Sequence, residues 1–286
     1  MDAVELTREL IKIESTDPGS WETEIGEYIC DYLKESGADT ETYEVEPGRK
    51  IVKGVVKGAK AHPALVFICH MDTVVKGEGW TKNAFSAEVS DGKIWGRGAC
   101  DMKSGLASAL TAFAEVAKLQ KENAEDIEKL PGTLVFIGTV DEEADMKGSE
   151  AVVQQGWIQK EDWVLDMEPT SGMIQMAHKG RTWFELSVEG ITAHASMPEK
   201  GADAIAGIAF MIAEIRKAMG EVPTHEELGK STVTFGQISG GYSPYVVSDH
   251  SMVTIDMRLV PPMNTQEAEK IDSERQLKLG KMQFRV

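Results

Sequence analysis

Apolar positions near the start of the chain recur at three- and four-residue spacing. Leu6, Leu10 and Ile13 form one set, and Ile25, Ile29 and Tyr32 a second. Two amphipathic helices are predicted, with the turn-rich stretch STDPGS between them. The pattern then shifts to short apolar runs. Residues 51–56 read as a strand. Residues 64–69 (ALVFIC) form an unbroken apolar run, as expected of a strand covered on both faces in a parallel sheet. Residues 133–139 (TLVFIGT) and Trp163–Asp166 predict two more buried strands. Residues 104–119 put Leu106, Leu110, Phe113 and Val116 on one helical face. Strands alternating with helices imply an α/β domain, with a mostly parallel sheet and helices on both of its faces.

The character changes near Lys179. Phe184, Leu186 and Val188 alternate with Trp183, Glu185 and Ser187, and Val253, Ile255, Met257 and Leu259 alternate with Thr254, Asp256 and Arg258. Ile205, Ile208 and Ile212 mark a helix between them. One-sided strands with helices on the other face predict a small α+β domain. A helix from about Thr265 and a short strand in KMQFRV complete it. The predicted division is residues 1–178 and 179–286.

Composition narrows the classes. The net charge is −17, from 47 acidic and 30 basic residues, which disfavours nucleic acid and anionic membrane surfaces as partners. The three cysteines, Cys30, Cys69 and Cys100, have no C-x-x-C spacing. That usage fits a reducing compartment better than a disulfide framework. The start, MDAVELTREL, has no apolar signal-peptide centre, and no run approaches the roughly 18 apolar residues of a membrane span. A cytoplasmic location is expected.

Four polar clusters follow the apolar runs or their loops. They are His70 with Asp72, Asp101 in DGKIWGRGACDMKSG, the triplet Asp141, Glu142 and Glu143, and Glu168 in VLDMEPTSG. Taken singly, each reads best as a helix cap, a solvated loop acid or a packed histidine. Together they change the balance. Several acids held at one sheet edge repel each other unless a cation neutralises them. Oxygen ligands with a single histidine suit zinc, with cobalt or manganese as alternatives.

HMDTV, GRGACDMKSG, the DEE triplet and MEPTS together resemble the M20 metallopeptidase family, the group of acetylornithine deacetylase, succinyl-diaminopimelate desuccinylase, aminoacylase and glutamate carboxypeptidase. The resemblance runs over essentially the whole chain. It implies two divalent metal ions bridged by Asp101, with His70 and Glu168 completing the first and Glu143 holding the second. It implies Glu142 as general base and Asp72 as the acid that orients His70. It further implies that the smaller domain is an inserted, ferredoxin-like lid that also makes a homodimer. His194 in AHASMP would then serve the oxyanion, and Arg258 in DMRLVP a carboxylate on the substrate. The substrate would be an N-acyl amino acid or short peptide bearing a free carboxylate.

Two departures from the family pattern bear on these expectations. In GGYSPYVVSDH, Tyr245 stands at the usual asparagine and Ser248 at the usual proline. The family also returns from the lid to the catalytic sheet and delivers a last histidine to the second metal. Here the last histidine is His250 and the chain ends at Val286. The sequence thus reads as C-terminally truncated near DSERQLKLGK, with the second metal site incomplete and the catalytic sheet short of strands. An amidohydrolase is the first reading. A catalytically inactive, metal-binding or dimerising fragment is the alternative.

Overall fold

Helix α1 (Ala3–Lys12) starts at a capping box: Asp2 accepts the Glu5 N–H at 2.8 Å, and the Glu5 carboxylate accepts the Asp2 N–H at 3.2 Å. Helix α2 (Thr23–Ser36) ends at Gly37, whose φ of 96° supplies the left-handed C-terminal cap. Both form where the apolar spacing predicts them. They bury Leu6 and Leu10, and Ile25, Ile29 and Leu33; Ile13 lies just beyond the end of α1. The structure is a computed structural model and describes residues 1–122, 130–276 and 283–285. It divides into two units, Met1–Met173 and Ile174–Val286, each with its own apolar core.

The first unit is built on a five-stranded sheet. Its strands are β1 (Asp39–Glu46), β2 (Arg49–Val56), β3 (Leu65–His70), β4 (Leu134–Thr139) and β5 (Trp163–Asp166). Helix α3 (Ser104–Glu122) lies between β3 and β4 in sequence, and α4 (Lys147–Gln154) between β4 and β5. The spatial order is β1-β2-β4-β3-β5. Pairings β4–β3 and β3–β5 are parallel, whereas β1–β2 and β2–β4 are antiparallel. The sheet is therefore mixed rather than mostly parallel. The short connection through Pro47 and Gly48 can join only antiparallel strands, which accounts for the β1–β2 pair. Strand β1 has no apolar face, and the sequence pattern did not reveal it.

Burial also differs from expectation at one side. Central strand β4 is buried at every residue. In β3, Val66, Cys69 and His70 are buried, Phe67 and Ile68 are half-buried, and Leu65 is exposed. Strand β5, expected to be buried, is exposed throughout, with Trp163 at 73%. Among the described residues its strand neighbour is β3 alone. An edge strand with an apolar sequence gives the same pattern as a central one, so periodicity could not separate them.

The second unit runs β6 (Gly180–Glu189), α5 (Ala204–Glu221), β7 (Thr232–Gly240), β8 (His250–Leu259), α6 (Thr265–Gln276) and β9 (Gln283–Arg285). Its sheet is antiparallel in the order β7-β8-β6-β9. This βαββαβ order is the ferredoxin-like arrangement. Leu186, Val188, Val253, Ile255, Met257 and Leu259 pack against Ile208, Met211 and Ile215 of α5, while Ile205 faces outward. Asp203 caps α5 by accepting the Ile205 and Ala206 N–H groups. Of the strand predicted in KMQFRV, residues 281, 282 and 286 lie outside the described residues, as do residues 277–281 of DSERQLKLGK. Among the described residues no helix is long and apolar enough to cross a membrane.

Phe113 of α3 and Phe136 of β4 are fully buried and meet edge-to-face at 6.1 Å. Phe136→Ala is expected to cost about 3–5 kcal/mol, and Trp163→Ser no more than about 0.5 kcal/mol. Urea unfolding of the two variants checks the contrast; equal losses would contradict the assignment of β5 to an exposed edge.

Candidate metal centre

Strands β3, β4 and β5 run parallel, so their carboxyl ends share one edge of the sheet. His70 is the last residue of β3. The triplet Asp141, Glu142 and Glu143 follows β4, and Glu168 follows β5. This is the edge at which α/β sheets bind ligands. Asp101 arrives separately, from the turn Ala99–Lys103 that leads into α3. Two glycines make that approach possible. Gly98 has φ 75°, and a Cβ there would lie 2.6 Å from the Thr73 side chain. A Cβ on Gly105 would lie 2.2 Å from the Met167 carbonyl oxygen, so only glycine lets α3 start beside the Glu168 loop.

The four clusters converge around His70. Its Nε2 lies 3.1 Å from Asp101 Oδ1 and 3.4 Å from Glu168 Oε1. One ligand atom each from His70, Asp101 and Glu143 falls within 4.8 Å of the others, and the same holds for His70, Glu142 and Glu168. Asp72 acts on His70 differently from the expectation. His70 Nδ1 donates to the Asp72 backbone carbonyl at 2.9 Å, while the Asp72 carboxylate is 3.7 Å away. That carboxylate instead accepts the Glu143 N–H at 2.9 Å through Oδ2. Its fully buried Oδ1 has no hydrogen-bond partner. A carbonyl oxygen can only accept, so Nδ1 carries a proton and Nε2 is the ring nitrogen that faces Asp101 and Glu168.

Electrostatics follow from this crowding. Burial lowers the His70 pKa, but the hydrogen bond to Asp101 and the charges of Asp72, Glu168 and Glu142 outweigh it and raise the value to about 9. The hydrogen bond from His70 is the main reason that Asp101 falls below the usual carboxylate range. Burial lifts Glu168 to about 7; His70 opposes the rise, and Asp101, Asp166 and Glu142 add to it. Burial also raises Glu143. A cleft of about 230 Å³ opens beside the cluster, lined by Val74, Arg97, Cys100, Asp101 and Glu143 among others.

Two buried cations brace the loops, and the sequence pattern singled out neither. Lys103 is 1% exposed and donates from Nζ to the carbonyls of Leu10 and Ile13 at 3.0 and 2.7 Å. It satisfies carbonyls left open at the end of α1 and moors the Asp101 turn there. Burial lowers its pKa to about 7. Arg49, the first residue of β2, pairs with Asp17, Glu22 and Asp141. Asp17, Glu22 and Asp72 also lie within ligand distance of one another, but Arg49 already neutralises two of them. A lone arginine and a lone glutamate at element starts look solvated in sequence, so no local signal marked them.

His194 and Arg258 belong to the second unit. His194 Nδ1 lies 2.9 Å from Ser196 Oγ. Its strand pair with Val246–Val247, and the hydrogen bond from Ala195 N–H to the Tyr245 carbonyl, bind it to the loop that departs from the family pattern. Arg258 does not present an open fork: its Nε and Nη2 donate to Asp256 at 2.8 and 3.1 Å. Asp256 also accepts from Trp183 Nε1 at 2.7 Å.

Solved structures with the same fold include a tripeptidase from Staphylococcus aureus (TM-score 0.71, 22% identity), which covers 99% of this chain and 74% of that one. They also include an M20 family metallo-carboxypeptidase from Sulfolobus solfataricus (TM-score 0.73, 18% identity, 99% and 78% covered). A dinuclear metal-binding peptidase of family M20 from Bacillus subtilis matches at TM-score 0.62 and 18% identity, with 99% and 72% covered. By sequence, the chain is 29% identical over 230 residues to a probable succinyl-diaminopimelate desuccinylase of Staphylococcus epidermidis, over 79% of this chain and 54% of the relative. It is 30% identical over 227 residues to a succinyl-diaminopimelate desuccinylase of Wolbachia pipientis, over 76% and 54%. The chain spans about half the length of these curated relatives. The profile of peptidase family M20/M25/M40 matches residues 66–271, and the chain belongs to that family.

Proposed function

We propose that this M20 family hydrolase cleaves an amide bond of an N-acyl amino acid or short peptide at the His70 cluster. The observation that carries the reading is the convergence of His70, Asp101, Glu142, Glu143 and Glu168 at one strand-end edge. The donor set fits divalent metals: one imidazole nitrogen and several carboxylates, of which Glu143 and Glu168 are raised chiefly by burial and further by neighbouring acids. In this reading His70, Asp101 and Glu168 hold one ion, and Asp101 and Glu143 contribute to a second. Zinc is the first choice, with cobalt or manganese as alternatives. Such ions, when bound, polarise an amide carbonyl and lower the pKa of water. Glu142 accepts the proton of the attacking water and returns it to the leaving amine. The backbone carbonyl of Asp72 holds His70 in its ligating tautomer.

In the second unit, His194 is assigned to the developing oxyanion and Arg258 to a substrate carboxylate. The assignment of Arg258 requires its fork to exchange Asp256 for the substrate. We further take the chain as a cytoplasmic homodimer that associates through this unit. Cys30, Cys69 and Cys100, free of disulfides, support the reducing compartment.

Metal must displace protons here. Below about 7 both Glu168 and His70 are protonated in the metal-free protein, and between about 7 and 9 His70 alone is. Affinity should therefore rise with pH up to about 9, with about one proton released per tight metal near pH 8 and more near pH 6. Calorimetry in buffers of different ionisation enthalpy measures this; uptake of protons, or no pH dependence, would refute it. One tight and one weak zinc per chain are expected, and two tight ions would show the second site to be complete. Glu142→Gln should abolish hydrolysis of N-acyl amino acids and dipeptides, by 10²-fold or more, with the tight metal retained. Near-normal turnover would remove Glu142 as the base, and loss of the tight metal would make it a ligand instead.

A further inference from the structure

Arg49 takes no part in the roles above, yet it is among the most heavily engaged side chains of the first unit. It is 6% exposed. Its Nε and Nη2 form a fork on Glu22, and Nη2 also donates to Asp17 at 2.7 Å. Nη1 donates to Asp141 Oδ1 at 2.9 Å. The Trp21 ring lies 4.5 Å from the guanidinium carbon. A planar five-donor fork is the side chain that can join three carboxylates at once.

Asp141 is the residue that such a clamp would control. It is 2% exposed and its φ is 67°, a left-handed conformation that a non-glycine residue keeps only where its surroundings hold it. The restraints are all present. Asp141 N–H donates to Glu22 Oε1 at 3.3 Å, Oδ2 accepts the Lys147 N–H at 3.2 Å, and the carbonyl accepts the Met146 N–H at 2.6 Å. The next two residues are Glu142 and Glu143, and the Glu143 N–H is fixed to Asp72.

The segment that carries the anchor for Arg49 supports the other strand end too. Thr16–Asp17 pairs in parallel with Thr73–Val74, and Ser15 Oγ donates to the Met71 carbonyl at 2.7 Å. Both the loop after β3 and the turn after β4 are therefore tied to residues 15–22.

We propose that Arg49 is a positioning residue: by clamping the Asp141 turn against Asp17 and Glu22, it aims Glu142 and Glu143 at the His70 cluster. The proposal rests on the reading of Glu143 as a ligand of the second metal. It predicts that loosening the clamp weakens that metal selectively, because His70, Asp101 and Glu168 reach the centre from β3, the α3 turn and β5.

The test uses the full chain with cobalt, followed by its absorption spectrum and by competition with a chromophoric chelator. Arg49→Met would strand three buried carboxylates, so the informative variants are Asp141→Asn, which keeps shape and removes the charge that Arg49 grips, and Arg49→Lys. Asp141→Asn should weaken the second binding step about 10–100-fold and leave the tight step within about twofold. Arg49→Lys should do the same to a smaller degree, and the double variant should lose less than the product of the two single effects. Glu143→Gln is the control. If it leaves both steps unchanged, Glu143 is not a ligand, and the functional reading falls together with this proposal. If Glu143→Gln weakens the second step and Asp141→Asn does not, the ligand assignment stands and the clamp is wrong. Equal weakening of both steps by Asp141→Asn, with a lowered melting temperature, would mean general structural support and would also overturn it.

Discussion

Repulsion between carboxylates at one sheet edge is the constraint around which the first unit is arranged. Parallel pairing of β3, β4 and β5 brings three strand ends together, and each end carries an acid or the imidazole. Burial, with the neighbouring acids adding to it, lifts Glu168 to about 7 and raises Glu143. His70, raised to about 9, is the partial compensation that the chain itself supplies. An arrangement that pushes acids up and a base up in the same small volume is one that a divalent cation would relax.

Holding such a cluster takes more than the strands. The strands deliver residues to the edge, but the side chains sit on loops beyond it. Two buried cations fasten those loops to the helical layer. Lys103 moors the Asp101 turn to the end of α1, and Arg49 joins the Asp141 turn to residues 17 and 22. Each serves a carbonyl or carboxylate group that would otherwise be buried without a partner, a situation that costs on the order of 1–3 kcal/mol per neutral group and more per charge. The same contacts that satisfy buried polar groups thereby set the geometry of the cluster.

The second unit follows simpler rules. Strand β8 alternates along its length, one face of the sheet is covered by α5 and α6, and βαββαβ connectivity follows from the order of elements. Its polar face carries Arg258, Asp256 and Trp183 in one hydrogen-bonded set. That pairing keeps the Arg258 guanidinium engaged within its own strand.

Much of this was legible in the chain. Spacing of Leu6 and Leu10, of Ile25 and Ile29, and of Leu106 to Phe113 gave the helices, because a helix buries a face at a fixed period. The polar residues just after apolar runs gave His70, Glu142, Glu143 and Glu168 as one candidate group, because loops at the carboxyl ends of parallel strands must meet, and the motif before α3 added Asp101. Other features needed the fold. Whether Trp163–Asp166 is central or an edge depends on neighbours that no local pattern encodes. Which group of Asp72 touches His70 depends on the path of the backbone past the strand end. The tasks of Arg49, Glu22 and Lys103 depend on contacts across 27 to 119 residues of sequence. Local periodicity and motif therefore determined most of the elements and the candidate groups. Only tertiary structure decided what holds them, because a buried charge is specified by partners far away along the chain.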